Sequence, residues 1–177
     1  MRISISLILL ALGLVTVAQK MPELDQRFAD TKNGFLISFP NSWSIETRDI
    51  GGYALKVVDP DEYGSVYVKV TDMKGSIEAK TIVKNFIEPA WTKDGATIVE
   101  LPEDKRIFSE NQLFLKNADS GYITKINYPL EDGFYNIGYF VFTKDTLVYE
   151  IKYEGIETAP SSVSNVLPRI GLSLVAL

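Results

Sequence analysis

The chain contains no cysteine and no histidine. Without a thiol or an imidazole it can build neither a Ser-His nor a Cys-His nucleophile pair, and it offers zinc, copper or haem no soft ligand. Disulfides are excluded by the same absence, and so is a lipid anchor carried on an N-terminal cysteine. Acid-base chemistry would fall to carboxylates, Lys or Tyr. Positive charge is also short: 18 Lys and Arg stand against 23 Asp and Glu, a net charge of −5. Phosphate backbones and anionic lipid surfaces are therefore repelled, which argues against nucleic acid as a partner. No Gly-rich phosphate loop, dinucleotide fingerprint or Asn-x-Ser/Thr acceptor occurs. No cofactor or metal is expected.

What is present begins with an export signal. Met1-Arg2 is short and positive, Ile3 to Val17 is apolar or small, and Thr16-Val17-Ala18 places small residues before Gln19. The apolar run of about fifteen residues falls short of the roughly 20 that span a bilayer. Residues 1–18 thus read as a signal peptide, whose removal leaves a periplasmic or secreted protein with no stable membrane anchor. Residues 19–33 read as an N-terminal polar segment, and residues 34–177 as a single domain, large enough to need no staples.

In that domain the first half has the period of strands. Phe35, Ile37 and Phe39 alternate with Leu36 and Ser38, Trp43 and Ile45 follow a Pro40-Asn41-Ser42 corner, and Tyr53, Leu55 and Val57 follow Gly51-Gly52. Val66, Val68 and Val70 face opposite to Tyr67, Lys69 and Thr71. From Ser76, a plausible N-cap, the period becomes helical: Ala79, Ile82, Val83, Phe86, Ile87 and Ala90 form one apolar face. Pro89 should kink or end this helix near Glu88, with Trp91 plugging the seam against the sheet. Strands return over residues 97–101, 106–108, 112–116, 122–128, 134–143 and 147–153, broken by turns at Asp119-Ser120-Gly121, Asp132-Gly133 and Lys144-Asp145. Both faces of the 134–143 strand are apolar, which predicts a central strand covered on both sides. Thr158 can cap a last helix with Pro160 in its first turn, its inner face Val163, Val166, Leu167 and Ile170, bent at Pro168. The fold class that follows is α+β: an antiparallel β-sheet covered by a mid-chain helix and a C-terminal helix.

That element order, together with Phe35-Leu36-Ile37-Ser38-Phe39-Pro40-Asn41-Ser42-Trp43 and Gly64-Ser65-Val66-Tyr67-Val68, resembles the PsbP-like family of α-β-α sandwich proteins. The resemblance implies a non-catalytic accessory, assembly or partner-binding role. Ser42 stands where glycine is expected before the tryptophan. No functional residue carries over, since the metal ligands of plant members include histidine.

The side chains themselves give few candidates. Glu150 and Glu154 are the nearest to a strand-borne carboxylate pair, but alternation with Tyr149, Ile151 and Tyr153 sets Glu150 beside Lys152 on a solvated face. Asp59, Asp61 and Glu62 are hard oxygen donors, yet their spacing lacks the remaining ligands of a calcium loop, and a hairpin turn explains them. Tyr135, Tyr139, Tyr149 and Tyr153 lie on neighbouring strands, with Tyr122 and Tyr128 on the strand before. These tyrosines either form a rigid amphipathic partner surface or cap sheet edges and line the core. Three functions remain: an exported, non-catalytic binding or assembly module for a protein partner; a carrier of an apolar small molecule or lipid between sheet and helices; and a carboxylate-dependent hydrolase.

Overall fold

The computed structural model describes residues 21–48, 50–105, 107–108 and 118–177. The signal segment and the strand expected over 112–116 lie outside them. The described chain is α+β, with two antiparallel sheets and two helical segments.

The main sheet runs in the order β3-β4-β5-β10-β9-β8-β6: β3 is Ser44–Glu46, β4 Leu55–Val58, β5 Gly64–Asp72, β6 Thr97–Ile98, β8 Ser120–Leu130, β9 Gly133–Lys144 and β10 Leu147–Ile156. A short β7 (Ile107–Phe108) pairs with β8. Hairpins join β8 to β9 and β9 to β10, as the Asp-Gly and Lys-Asp turns predict; Gly133 and Asp145 take the positive φ these corners require (108° and 55°). Ser120 already belongs to β8, so the expected break there is confined to the residues before it. Strand β9 is interior and, from Ile137 to Thr143, buried on both faces.

A second, three-stranded sheet has the order β1-β2-β11, with β1 Gln26–Asp30, β2 Phe35–Phe39 and β11 Val175–Ala176. Part of the expected polar segment is therefore a strand: Gln26–Asp30 pairs with Phe35–Phe39. The intervening turn is held by the Asp30 carboxylate, which accepts from the backbone N–H groups of Lys32 and Asn33 and from the Asn33 amide. Polar composition hides this strand because one face is exposed and the other brings only Phe28 against the core.

Strand register sorts the main sheet into two faces. On one, Val66, Val68, Phe140, Phe142, Tyr149, Ile151 and Tyr153 form a core with the small sheet (Phe35, Ile37, Phe39) and the C-terminal helix. That helix is split. After a Pro160 N-cap, and not the expected Thr158, α3 covers Ser161–Ser164; Asn165 interrupts, and α4 covers Val166–Leu172. Pro168 thus falls in a first turn, where its missing N–H leaves no hydrogen bond unmade. Gly171 lets α4 approach the sheet closely: a Cβ there would sit 2.9 Å from Phe140 Cδ2.

The mid-chain helix covers the other face with Ala79, Ile82, Val83 and Ile87 packed on Tyr122, Ile126, Ile137, Tyr139, Val141 and Val148. It runs as α1 (Ala79–Ile82), one π-helical stretch (Val83–Ile87) and α2 (Glu88–Lys93). Ser76 does not cap it: the Ala79 N–H donates to Ser120 Oγ on β8 (2.8 Å), and Ser120 Oγ in turn pairs with Thr143 Oγ1 (2.8 Å). Nor does Pro89 end it. The π stretch, in which the Glu88 N–H reaches back to the Val83 carbonyl, delivers Pro89 to the first turn of α2.

Candidate functional site

The π stretch inserts one residue into the helical register, so each later side chain takes the direction its predecessor would have had. Ile87 replaces Phe86 against the sheet, and Trp91 replaces Ala90. The expected apolar face is corrected accordingly: Ala79, Ile82, Val83 and Ile87 are buried, whereas Phe86 is 59% exposed and Ala90 faces solvent. Glu88 turns inward as well. Its carboxylate accepts from Thr124 Oγ1 (2.8 Å) and from Lys84 Nζ (2.8 Å), which compensates its burial.

Register also locates what the helix leaves open. Its apolar residues rest on β8, β9 and the near side of β10, while the rest of β10, β5 and β4 on this face carry Lys56, Tyr67, Lys69, Thr71, Glu150, Lys152 and Glu154. Between the helix and this open half runs a groove of about 360 Å³. Ile82, Phe86, Ile87 and Trp91 form its helix wall, Val148 and Thr71 line the sheet side, and Met73, 41% exposed, stands at its mouth. The Lys69–Glu150 ion pair (3.1 Å) is its main polar feature. At the far end the Trp91 Nε1–H donates to the Tyr139 hydroxyl (3.1 Å), and Trp91 meets Tyr128 edge-on at 5.6 Å between ring centroids. Trp91 therefore fills the seam between helix and sheet, as expected, but from within α2 rather than beyond the helix.

Beside the groove lies an aromatic and charged cluster. Lys152 Nζ is 4.0 Å from the Tyr67 ring centroid and 5.5 Å from that of Tyr53, and it pairs with Glu154 at 2.8 Å. The Tyr67 hydroxyl donates to the same carboxylate (2.6 Å). Tyr53 and Tyr67 meet at 5.0 Å, and Lys56 adds a second cation 5.8 Å from the Tyr67 ring. Burial pushes the Tyr53, Tyr67 and Tyr139 hydroxyls above the ordinary tyrosine range; the Glu154 hydrogen bond adds to the rise at Tyr67, and a hydrogen bond with Tyr139 offsets part of it at Tyr53. Lys152, Glu150 and Glu154 are largely packed away rather than freely solvated, and the Tyr53 and Tyr67 rings lie against the Lys152 ammonium.

The four tyrosines do not share one exposed surface. Tyr149 and Tyr153 point to the face under the C-terminal helix: Tyr149 stacks on Phe142 (4.7 Å, 9° between planes) and donates to the Gly34 carbonyl (3.2 Å), and Tyr153 packs on Phe140. Tyr139 is buried on the opposite face, and Tyr135, 36% exposed, stands across from Tyr128 near the β8–β9 turn. Tyr122 is fully buried. Of the expected tyrosines, only Tyr139 borders the groove, and of the expected carboxylates Glu150 does. Sequence reasoning does not single out Phe86, Met73, Tyr53 or Tyr67, although the alternation of Tyr67 with Val66 and Val68 already sets it on the outer face.

The acidic corner is a turn. Asp59 is buried, accepts from the Tyr63 N–H at its carboxylate (3.1 Å) and from the Glu62 N–H at its carbonyl (3.0 Å), and Glu62 adopts φ 60°. Burial raises the Asp59 pKa, against the pull of the Tyr63 hydrogen bond. Among the described residues no group of three or more acidic side chains is placed to hold a metal ion, and no helix is long and apolar enough to cross a membrane.

The sequence matches no known family model and no curated protein. Its architecture does match solved structures. The solution structure of cyanobacterial PsbP (CyanoP) from Synechocystis sp. PCC 6803 superposes with a TM-score of 0.64 at 14% identity, over 86% of this chain and 92% of that one. A crystal structure from Bacteroides thetaiotaomicron VPI-5482 superposes with a TM-score of 0.54 at 13% identity, over 88% of this chain and 49% of that one, so the present chain spans about half its length. At these identities the likeness is one of architecture, and the chain has a PsbP-like α+β sandwich fold.

Proposed function

We propose that this protein is an exported, non-catalytic binding module that engages a protein partner through the half-open face of its main sheet. The observation that carries this reading is the contrast between the two faces. One is sealed by the small sheet and the C-terminal helix, while the other leaves β4, β5 and part of β10 without a helix and presents Phe86 and Met73 beside a rigid cluster of tyrosines and paired charges. Aromatic anchors rimmed by polar groups are what partner surfaces use. The carboxylates of this face are engaged, Glu150 by Lys69 and Glu154 by Lys152 and Tyr67, which favours contact over hydrolysis. The order of residue types at the N-terminus supports export.

Photo-crosslinking in the native envelope tests the reading. A photoreactive residue at Lys56 or Lys69 should capture a defined protein, and the same residue at Asn165, on the sealed side, should not. Equal capture at both positions, or none at Lys56 and Lys69, would refute it.

A further inference from the structure

We propose that the groove between the mid-chain helix and strands β5 and β10 is a binding site for a small apolar molecule that ends in an uncharged hydrogen-bonding head. Its volume, about 360 Å³, lies within the roughly 300–1,000 Å³ of small-molecule sites, and its walls are mainly apolar with a few polar groups, the composition such sites share. The helix wall from Ile82 to Trp91 is about 13 Å long at the helical rise per residue, which sets the length of the apolar body.

Two further features point the same way. The π stretch holds Phe86 out of the core and at the groove, and such stretches are rare insertions that concentrate at functional sites. A regular helix would have buried that ring. The charge of the groove then selects the head. Lys69 and Glu150 form a compensated pair at 3.1 Å, so an anion drawn to the ammonium meets the carboxylate, and a cation drawn to the carboxylate meets the ammonium. A hydroxyl can accept from Lys69 and donate to Glu150 without opposing either. Thr71 adds a hydroxyl within the same lining.

The test uses the purified chain, with decanol and decanoate as probes that share an apolar body and differ in the charge of the head. The two tryptophans give two indole N–H resonances: Trp91 lines the groove, and Trp43 belongs to the core on the other side of the sheet. Decanol should shift the Trp91 resonance and leave that of Trp43 in place, and decanoate should bind at least tenfold more weakly at neutral pH. Glu150→Gln should abolish or reverse this preference by freeing the Lys69 charge. Phe86→Asp alters an exposed residue, so the protein stays folded, and it should weaken decanol binding at least tenfold.

An unmoved Trp91 resonance at saturating decanol would overturn the proposal, and so would decanol binding indifferent to Phe86→Asp. If a photoreactive residue at Phe86 captures an apolar segment of a partner while decanol leaves Trp91 unmoved, the groove belongs to the partner: this inference falls and the partner-binding reading stands. If decanol binds as described and no partner is captured at Lys56 or Lys69, the partner-binding reading falls and the apolar-ligand site stands.

Discussion

Replacing Gly138 by alanine tests the packing of the sealed face. Gly138 lies opposite Tyr153 across the β9–β10 ladder, and the Tyr153 side chain lies over it, so an alanine Cβ would come closer than 3.0 Å to two ring carbons and the hydroxyl oxygen. The backbone φ is not the obstacle, since Gly138 is not among the residues with positive φ. The ring must therefore move. Overpacking of this kind costs about 1–3 kcal/mol, and disturbing the Phe140–Tyr153 pair, centroids 5.5 Å apart, costs about 0.5–1.5 kcal/mol more. Reduced freedom of the unfolded chain returns about 0.4–1 kcal/mol. The expected net loss is about 2 kcal/mol, within about 0.5–4, read as a lower urea midpoint at unchanged slope. A double-mutant cycle isolates the cause: in a Tyr153→Leu background the same substitution should cost under about 1 kcal/mol. Equal losses in both backgrounds, or a gain in the wild type, would refute the reasoning.

Other substitutions probe single contacts. Thr124→Val removes the hydroxyl that donates to the buried Glu88 carboxylate and should cost about 1.5–3 kcal/mol in urea unfolding. Ser120→Ala deletes the acceptor of the Ala79 N–H and should lower stability by about 1 kcal/mol, with faster amide exchange in the first turn of the mid-chain helix. Tyr67→Phe breaks the hydrogen bond to Glu154 and should cost about 1 kcal/mol or less, leaving the far-ultraviolet dichroism unchanged. Alkaline titration gives a pH-dependent test. Tyr53, Tyr67, Tyr139, Tyr149 and Tyr153 are all raised, chiefly by burial, Tyr153 to about 12. The folded state holds these protons more tightly than the unfolded state, so their stabilisation is complete below pH about 10 and is lost as pH climbs through the folded values. Phenolate absorbance from these five rings should appear together with unfolding; their smooth titration near pH 10 in a folded chain would contradict this.

Most of the architecture is legible in the sequence because it rests on local pattern. The alternation of Val66, Val68 and Val70, the two apolar faces around Phe140 and Val141, and the turns at Gly133 and Asp145 each translate into one feature of the sheet. The groove is not, and the reason lies in Phe86-Ile87 and Ala90-Trp91. Two adjacent apolar residues at each of these steps satisfy either register of the helix, so periodicity alone chooses the regular one. What the other register gains lies elsewhere: Trp91 meets Tyr139 and Tyr128, and Glu88 meets Thr124, all far along the chain. The tyrosines fail as a surface for a simpler reason. On β10, Tyr149, Ile151 and Tyr153 alternate with Glu150, Lys152 and Glu154, which already assigns the rings to the inner face. Strand β1 is silent in the sequence because a short, mostly exposed strand has no apolar stripe to reveal it.

The antiparallel partnership of β2 with β11 makes part of the sealed face depend on contacts between distant parts of the chain. Phe35 lies opposite Ala176, and the backbone of Ser38 is tied in both directions to the Ser173 hydroxyl, so contacts on the sealed face join the two ends of the domain. Likewise β5 must await β10 before it gains its second neighbour. Such non-local topology carries a high contact order, which slows folding at a given stability. Until the C-terminal segment arrives, Phe35, Ile37 and Phe39 lack Val166, Leu167 and Ile170 in the core they share.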